Sequence, residues 1–147
     1  MTQPAARFGG LYFRLVDGWC DVTHELPPGS PQTLAKPEGG VGALQFSGAR
    51  YTGGRRPEIT ALVLREMLAE LSEAHGLGAP RNVRELDGDC RSLRADFSRD
   101  EAFTRVWYLT NRLDIVMATY SAEEPRSALL DSEIEEADRM LTTARLL

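Results

Sequence analysis

The 147-residue sequence predicts an α+β domain: a central antiparallel sheet with two main helices packed on it. Three observations carry this expectation. Short β-prone runs recur, and several are joined by turn signals of hairpin type: Asp17-Gly18, Asp87-Gly88 and Asn111-Arg112. Residues 58 to 76, EITALVLREMLAELSEAHG, and residues 132 to 147, SEIEEADRMLTTARLL, carry apolar side chains at helical spacing. The strands come in consecutive hairpins rather than alternating with helices, which disfavours a parallel doubly wound sheet.

Each element follows in order. GLYFRLV, residues 10 to 16, is β-prone, and Asp17-Gly18 suggests a hairpin to a second strand, WCDVTHEL, residues 19 to 26. Residues 27 to 40 hold four of the eight prolines and read as a loop. Residues 41 to 51 return to strand, and TGGRRP, residues 52 to 57, breaks it. In the first helix Pro57 suits the first turn and Glu58 the positive end of the dipole. Ala61, Leu64, Leu68, Leu71 and His75 form its inner stripe, Glu66, Glu70 and Glu73 its wet side, and Gly76 its stop. Residues 81 to 86 form a weak strand. Leu93, Ala95 and Phe97 then alternate with Ser92, Arg94 and Asp96, predicting one wet face. Residues 103 to 110 and 113 to 120 are more apolar, and the latter carries apolar groups on both faces, as a covered central strand does. Ser132 with Glu135 fits a capping box for the last helix, which turns Ile134, Ala137, Leu141 and Ala144 to one side. No second domain or internal repeat is visible, so residues 1–147 read as one domain with a Pro/Gly-rich loop at 27–40.

Composition bounds the function. A formal net charge of −5 disfavours a nucleic-acid footprint and suits a basic protein partner. Lys36 is the single lysine among seventeen basic residues. No apolar run approaches a membrane span, and the N-terminus carries no signal-peptide pattern, so the chain is expected to be cytoplasmic. Cys20 and Cys90 then read as reduced thiols, with no cluster of zinc-ligand spacing around them. No cofactor or metal is expected.

Candidate chemistry is sparse. WCDVTHEL gathers Trp19, Cys20, Asp21, His24 and Glu25. As a strand it places Cys20 and His24 on one face but about 13 Å apart, too far for proton exchange. TGGRRP could cradle an anion with Gly53, Gly54, Arg55 and Arg56 at a strand-to-helix turn, although it matches neither GxxxxGK[ST] nor GxGxxG. The helical carboxylates, including Glu135 and Asp138, read as solvated surface, and neither G-x-S-x-G nor HExxH occurs. Trp107 and Tyr108 fall on opposite strand faces. Phe103, Arg105, Trp107 and Leu109 share one face, the best patch for a protein partner if it is open.

The Asp17, Gly18, Trp19 start, the mid-chain helix, the hairpin RVWYLTNRLDIVMATY and the closing amphipathic helix together resemble the PsbP/DcrB-like families. The resemblance covers nearly the whole chain in element order. It implies an α/β/α-type sandwich and a non-catalytic role, since members include photosystem extrinsic subunits, a nuclear-transport cofactor and bacterial secretion chaperones. The expected function is a protein-binding module, in the role of a bacterial secretion-effector chaperone or a toxin immunity protein, with an effector or toxin as partner. The alternative is an anion-binding or small-molecule domain, or an enzyme, built on TGGRRP. A homodimer is compatible with pairing through exposed edges such as 19–26 or 41–51.

Overall fold

The computed structural model describes residues 5–8, 11–49, 60–87, 90–99, 102–111, 114–123 and 127–146. Its elements are β1 (Ala5–Phe8), β2 (Leu11–Arg14), β3 (Cys20–Asp21), a 3₁₀ turn (Thr23–Glu25), β4 (Gln32–Ala35), β5 (Ala43–Ala49), α1 (Ala61–His75), β6 (Arg81–Asp87), β7 (Arg91–Arg99), β8 (Ala102–Thr110), β9 (Ile115–Ala122), α2 (Ala128–Thr142) and β10 (Arg145–Leu146). β3, β4, β5, β9, β8, β7 and β6 form a seven-stranded sheet in that order, every pair antiparallel, and β1, β2 and β10 form a second, three-stranded sheet. The α+β expectation therefore holds.

The order places a helix on each face of the large sheet. β5 and β6 run in the same direction at separated positions, so the chain must cross over between them, and α1 is the crossover. Leu64 and Leu68 of α1 pack on Leu93, Ala95 and Phe97 of β7, Val106 and Tyr108 of β8, and Ile115 of β9. The opposite faces of the same strands belong to α2: Leu130, Ile134, Ala137, Met140 and Leu141 cover Trp107, Leu109, Val116, Ala118 and Tyr120. Fully burying a side chain of this size contributes about 1.5–3 kcal/mol. The small sheet closes the α2 layer from the side, with Leu11 and Phe13 buried and Phe13 stacked on Phe46 at 5.6 Å between ring centroids. β9 lies between β5 and β8 and is covered on both sides, as its double apolar pattern predicts.

Several local expectations are corrected. β2 and the WCDVTHEL segment do not form a hairpin. β2 pairs with β1 and β10, whereas β3 pairs with β4 in the other sheet. The Asp17-Gly18 turn, closed by the Trp19 amide on the Val16 carbonyl at 3.2 Å, hands the chain between sheets and drops Trp19 into the core. The presumed loop at 27–40 contains β4, a four-residue strand between Pro31 and Pro37 that places Leu34 in the core. Residues 43–49 are an interior strand, so the edges of the large sheet are β3 and β6. β6 is unsuited to pairing with another chain: its register shifts between Arg81 and Arg84, and Arg81, Arg84 and Glu85 are exposed along it.

The helix ends also differ. α1 starts at Ala61, where Thr60 accepts the Val63 amide, so Pro57 and Glu58 precede the helix and lie outside the described residues. Gly76 ends it in the left-handed conformation as expected. α2 starts one turn before Ser132, because Ser127 is the cap that accepts the Leu130 amide. Ser132 is thus a helix-interior residue, not a cap. No helix among the described residues is long and apolar enough to cross a membrane.

Candidate functional site

The polar structure of the molecule concentrates beneath α2. Three acidic side chains turn toward the interior from this one helix: Glu133, Glu136 and Asp138. Their positions interleave with Ile134, Ala137 and Met140, so the stripe that docks the helix carries charge within it.

Each acid meets donors fixed by another layer. Glu133 is fully buried; its Oε2 accepts the Val41 amide at 2.7 Å, and its Oε1 accepts the Gly42 amide at 3.1 Å and the Tyr120 hydroxyl at 3.0 Å. This clamp needs the 41–42 backbone close to β9. A Cβ at Gly42 would lie 2.6 Å from the Ser121 carbonyl and from the Tyr120 ring, so only glycine fits. Glu136 accepts the Trp19 indole N–H at 2.8 Å and Lys36 Nζ at 3.0 Å. Asp138 accepts Arg94 and Arg105, each through Nη1 at 2.7 Å, and the Trp107 indole N–H at 2.9 Å. Arg105 also forms a two-pronged pair with Asp96 on the neighbouring strand, through Nε at 2.5 Å and Nη2 at 2.8 Å, and Asn82 Nδ2 reaches Asp96 at 3.1 Å. Burial works against the charge of Arg105, but the hydrogen bond and charge of Asp96, joined by Asp138, hold its pKa above the ordinary arginine value.

Antiparallel register explains the assembly. Asp96 stands directly opposite Arg105, and Arg94 opposite Trp107, on the face that α2 covers. The Ser92, Arg94, Asp96 face of β7 is therefore not wet. Phe103, Arg105, Trp107 and Leu109 do share one face, but α2 covers it, leaving them between 1% and 8% exposed. They are core and network residues rather than an open patch. Trp107 and Tyr108 do point to opposite faces. The pKa of Tyr108 is raised, first by burial and then by the charge of Glu70.

WCDVTHEL folds as a short strand and a local turn. Asp21 accepts the Thr23 amide at 3.0 Å and the Thr23 hydroxyl at 2.5 Å, which ends β3 and starts the 3₁₀ turn. These two bonds lower the Asp21 pKa. The Thr23 hydroxyl accepts the Thr33 amide at 2.8 Å and ties the turn to β4. Cys20 and His24 are both exposed, and the strand face expected to join them stops at Asp21. Residues 52–57, with Gly53, Gly54, Arg55 and Arg56, lie outside the described residues. Among the described residues, no three His, Cys, Asp or Glu side chains gather as a metal site.

Among the described residues, open clefts border both helices. One, of about 520 Å³, runs between α1 and the start of β6; Leu68, Ala69, Pro80 and Val83 line it, with Arg65, Ser72 and Glu73 as polar members. Another, of about 380 Å³, lies between α2 and β2; Val16 and Met140 provide its apolar part, and Arg14, Glu135, Asp138 and Arg139 its charges. Glu135 is exposed as expected. Asp138 is not simply solvated: it joins the buried network to this cleft.

No protein-family model matches the chain, and no curated protein matches it. Among solved structures, a protein from Bacteroides thetaiotaomicron VPI-5482 superposes with a TM-score of 0.66 at 12% identity. That match covers 100% of this chain and 49% of the other, so this chain spans about half its length. A mutant of protein Mog1 superposes with a TM-score of 0.62 at 9% identity, covering 99% of this chain and 96% of the other. At these identities the likeness is one of fold: an antiparallel sheet with helices.

Proposed function

We propose that the chain is a non-catalytic protein-binding module of PsbP/DcrB-like kind, acting as a secretion-effector chaperone or a toxin immunity protein. The observation that carries this reading is the cleft beside α1. Its floor is apolar and its rim is charged, the anatomy of a protein-docking groove. Leu62, 65% exposed, and the exposed Glu66, Glu70 and Glu73 extend the surface along the outside of α1.

The two roles use different parts of this surface. A chaperone would seat an amphipathic partner helix on Leu68, Ala69 and Val83. An immunity protein would set the glutamate row against a basic toxin site. The inward acids favour neither chemistry, because their oxygens are occupied by structural donors.

The test is affinity isolation of the tagged chain from its native host, followed by size-exclusion chromatography of the complex. A stoichiometric protein partner should be retained by the wild type, and a chaperone's partner should be lost by Leu62→Asp and Ala69→Arg. A partner lost on charge reversal of Glu66, Glu70 and Glu73, but retained by Ala69→Arg, would select the immunity role. Recovery of no protein partner would defeat both.

A further inference from the structure

The cleft between β2 and α2 lies on the opposite side of the large sheet from the groove beside α1, and its electrostatics have the opposite sign. Arg14 reaches it from β2 and Arg139 from α2. Both are exposed, and neither forms an ion pair among the described residues. Of the two acids at the cleft, Asp138 is already neutralised by Arg94 and Arg105, which leaves Glu135 as the uncompensated carboxylate. The surface continues past the cleft. Tyr12, 45% exposed, shares the outer face of β2 with Arg14. Two exposed arginines and an exposed tyrosine therefore lie together on a chain whose formal net charge is −5.

We propose that this surface docks an acidic polypeptide segment, with its carboxylates on Arg14 and Arg139 and an apolar side chain against Val16 and Met140. Arginine takes carboxylates in two-pronged geometry, and Arg and Tyr are the residue types that dominate protein interfaces. The local field selects a carboxylate over a phosphate. Glu135 and the C-terminal end of α2, which finishes at Thr142, both oppose a doubly charged anion more than a singly charged one. The apolar floor adds contact for a side chain that a free anion lacks. The proposal goes beyond the groove beside α1 and stands on separate residues, giving the module two faces of opposite charge.

The test uses fluorescence anisotropy with the full chain and a fluorescein-labelled peptide of alternating glutamate and leucine. A lysine–leucine peptide, a phosphoserine peptide and a single-stranded oligonucleotide serve as competing probes. The acidic peptide should bind saturably and weaken as salt rises. Arg14→Glu and Arg139→Glu should each raise Kd by about tenfold or more, the ratio for one lost pair of about 1.4 kcal/mol. Arg84→Glu, on the far edge strand, and Leu62→Asp, on α1, should leave it unchanged. Circular dichroism melts confirm folding, since neither arginine side chain makes a hydrogen bond or ion pair among the described residues. No binding of the acidic peptide, equal binding by the reversal variants, or tighter binding of any competing probe overturns the assignment. A host partner that is lost only in the α1 variants would then leave the protein-binding reading standing without this surface.

Discussion

Replacing Arg105 by methionine isolates the energetics of the buried network. The change removes the guanidinium that joins Asp96 to Asp138. Asp138 keeps Arg94 and the Trp107 indole, but among the described residues the carboxylate of Asp96, 3% exposed, keeps only the Asn82 amide at 3.1 Å. The cost therefore falls on Asp96. Removing one partner of a buried pair costs about 3–5 kcal/mol, and methionine fills much of the aliphatic volume, so little is added by a cavity. Against a total stability of about 5–15 kcal/mol, that is a large loss. The double variant Arg105→Met/Asp96→Leu removes the stranded charge and should recover most of it, because apolar replacement of a whole buried pair is often neutral. Urea unfolding followed by circular dichroism measures both. The single variant's midpoint should fall by about 2 M at unchanged slope, and the double variant's should return toward wild type. A single variant within about 1 kcal/mol of wild type, or a double variant no more stable than the single, would refute the reasoning.

Other outcomes follow from the same geometry. Gly42→Ala forces a methyl into the Ser121 carbonyl and Tyr120 ring and should cost about 1–3 kcal/mol, read as a lowered Tm; no change would show that the 41–42 backbone can retreat. Glu133→Ala removes the carboxylate that the Val41 and Gly42 amides and the Tyr120 hydroxyl share, and at about 1–3 kcal/mol for an unsatisfied buried group it should be among the most damaging substitutions in α2. Because burial and Glu70 raise the Tyr108 pKa, the folded state holds this proton after the unfolded chain would release it. The Tyr108 contribution to stability is thus intact below about pH 10 and is lost as pH rises from there through the folded value, and ultraviolet titration should show a late-ionising tyrosine that Tyr108→Phe removes. Asp21 runs the other way: its stabilising contribution is present above about pH 4 and is lost as pH falls through the lowered folded value, and Thr23→Val should move its NMR titration midpoint upward.

Strand alternation and helical spacing made most of the fold legible, because those patterns are set by which face meets the core. The double apolar face of β9 is the clearest case. β4 was not legible: its four residues stand between prolines, and its strand character comes from pairing with β3 and β5 rather than from propensity. The Asp17-Gly18 turn was legible as a turn but not as a change of sheet, since turn chemistry does not say where the next strand finds a partner. The network beneath α2 was the largest omission. Glutamate and aspartate on a helix read as solvated, and Asp96 and Arg94 on alternating strand positions read as a wet face. The signal available was positional: Glu133 and Glu136 fall inside the stripe of Ile134, Ala137 and Met140, where a purely solvated charge would not be placed. Lys36, the single lysine, meets Glu136 across one hundred positions of sequence, a pairing no local pattern contains.

The inward acids also make α2 a keyed part. Leucine and alanine faces tolerate a helix that slides or rolls against its sheet, because apolar contacts are largely interchangeable. Rolling α2 by one residue turns it by about 100°, and sliding it by one turn moves it about 5.4 Å. Either displacement would carry Glu133, Glu136 and Asp138 away from the Gly42 amide, the Trp19 indole and the Arg105 guanidinium together. Three carboxylates would then be buried without donors while three sets of donors went unanswered. The helix therefore has one seated position and no graded neighbours of it, so the face it covers is closed by an all-or-none fit.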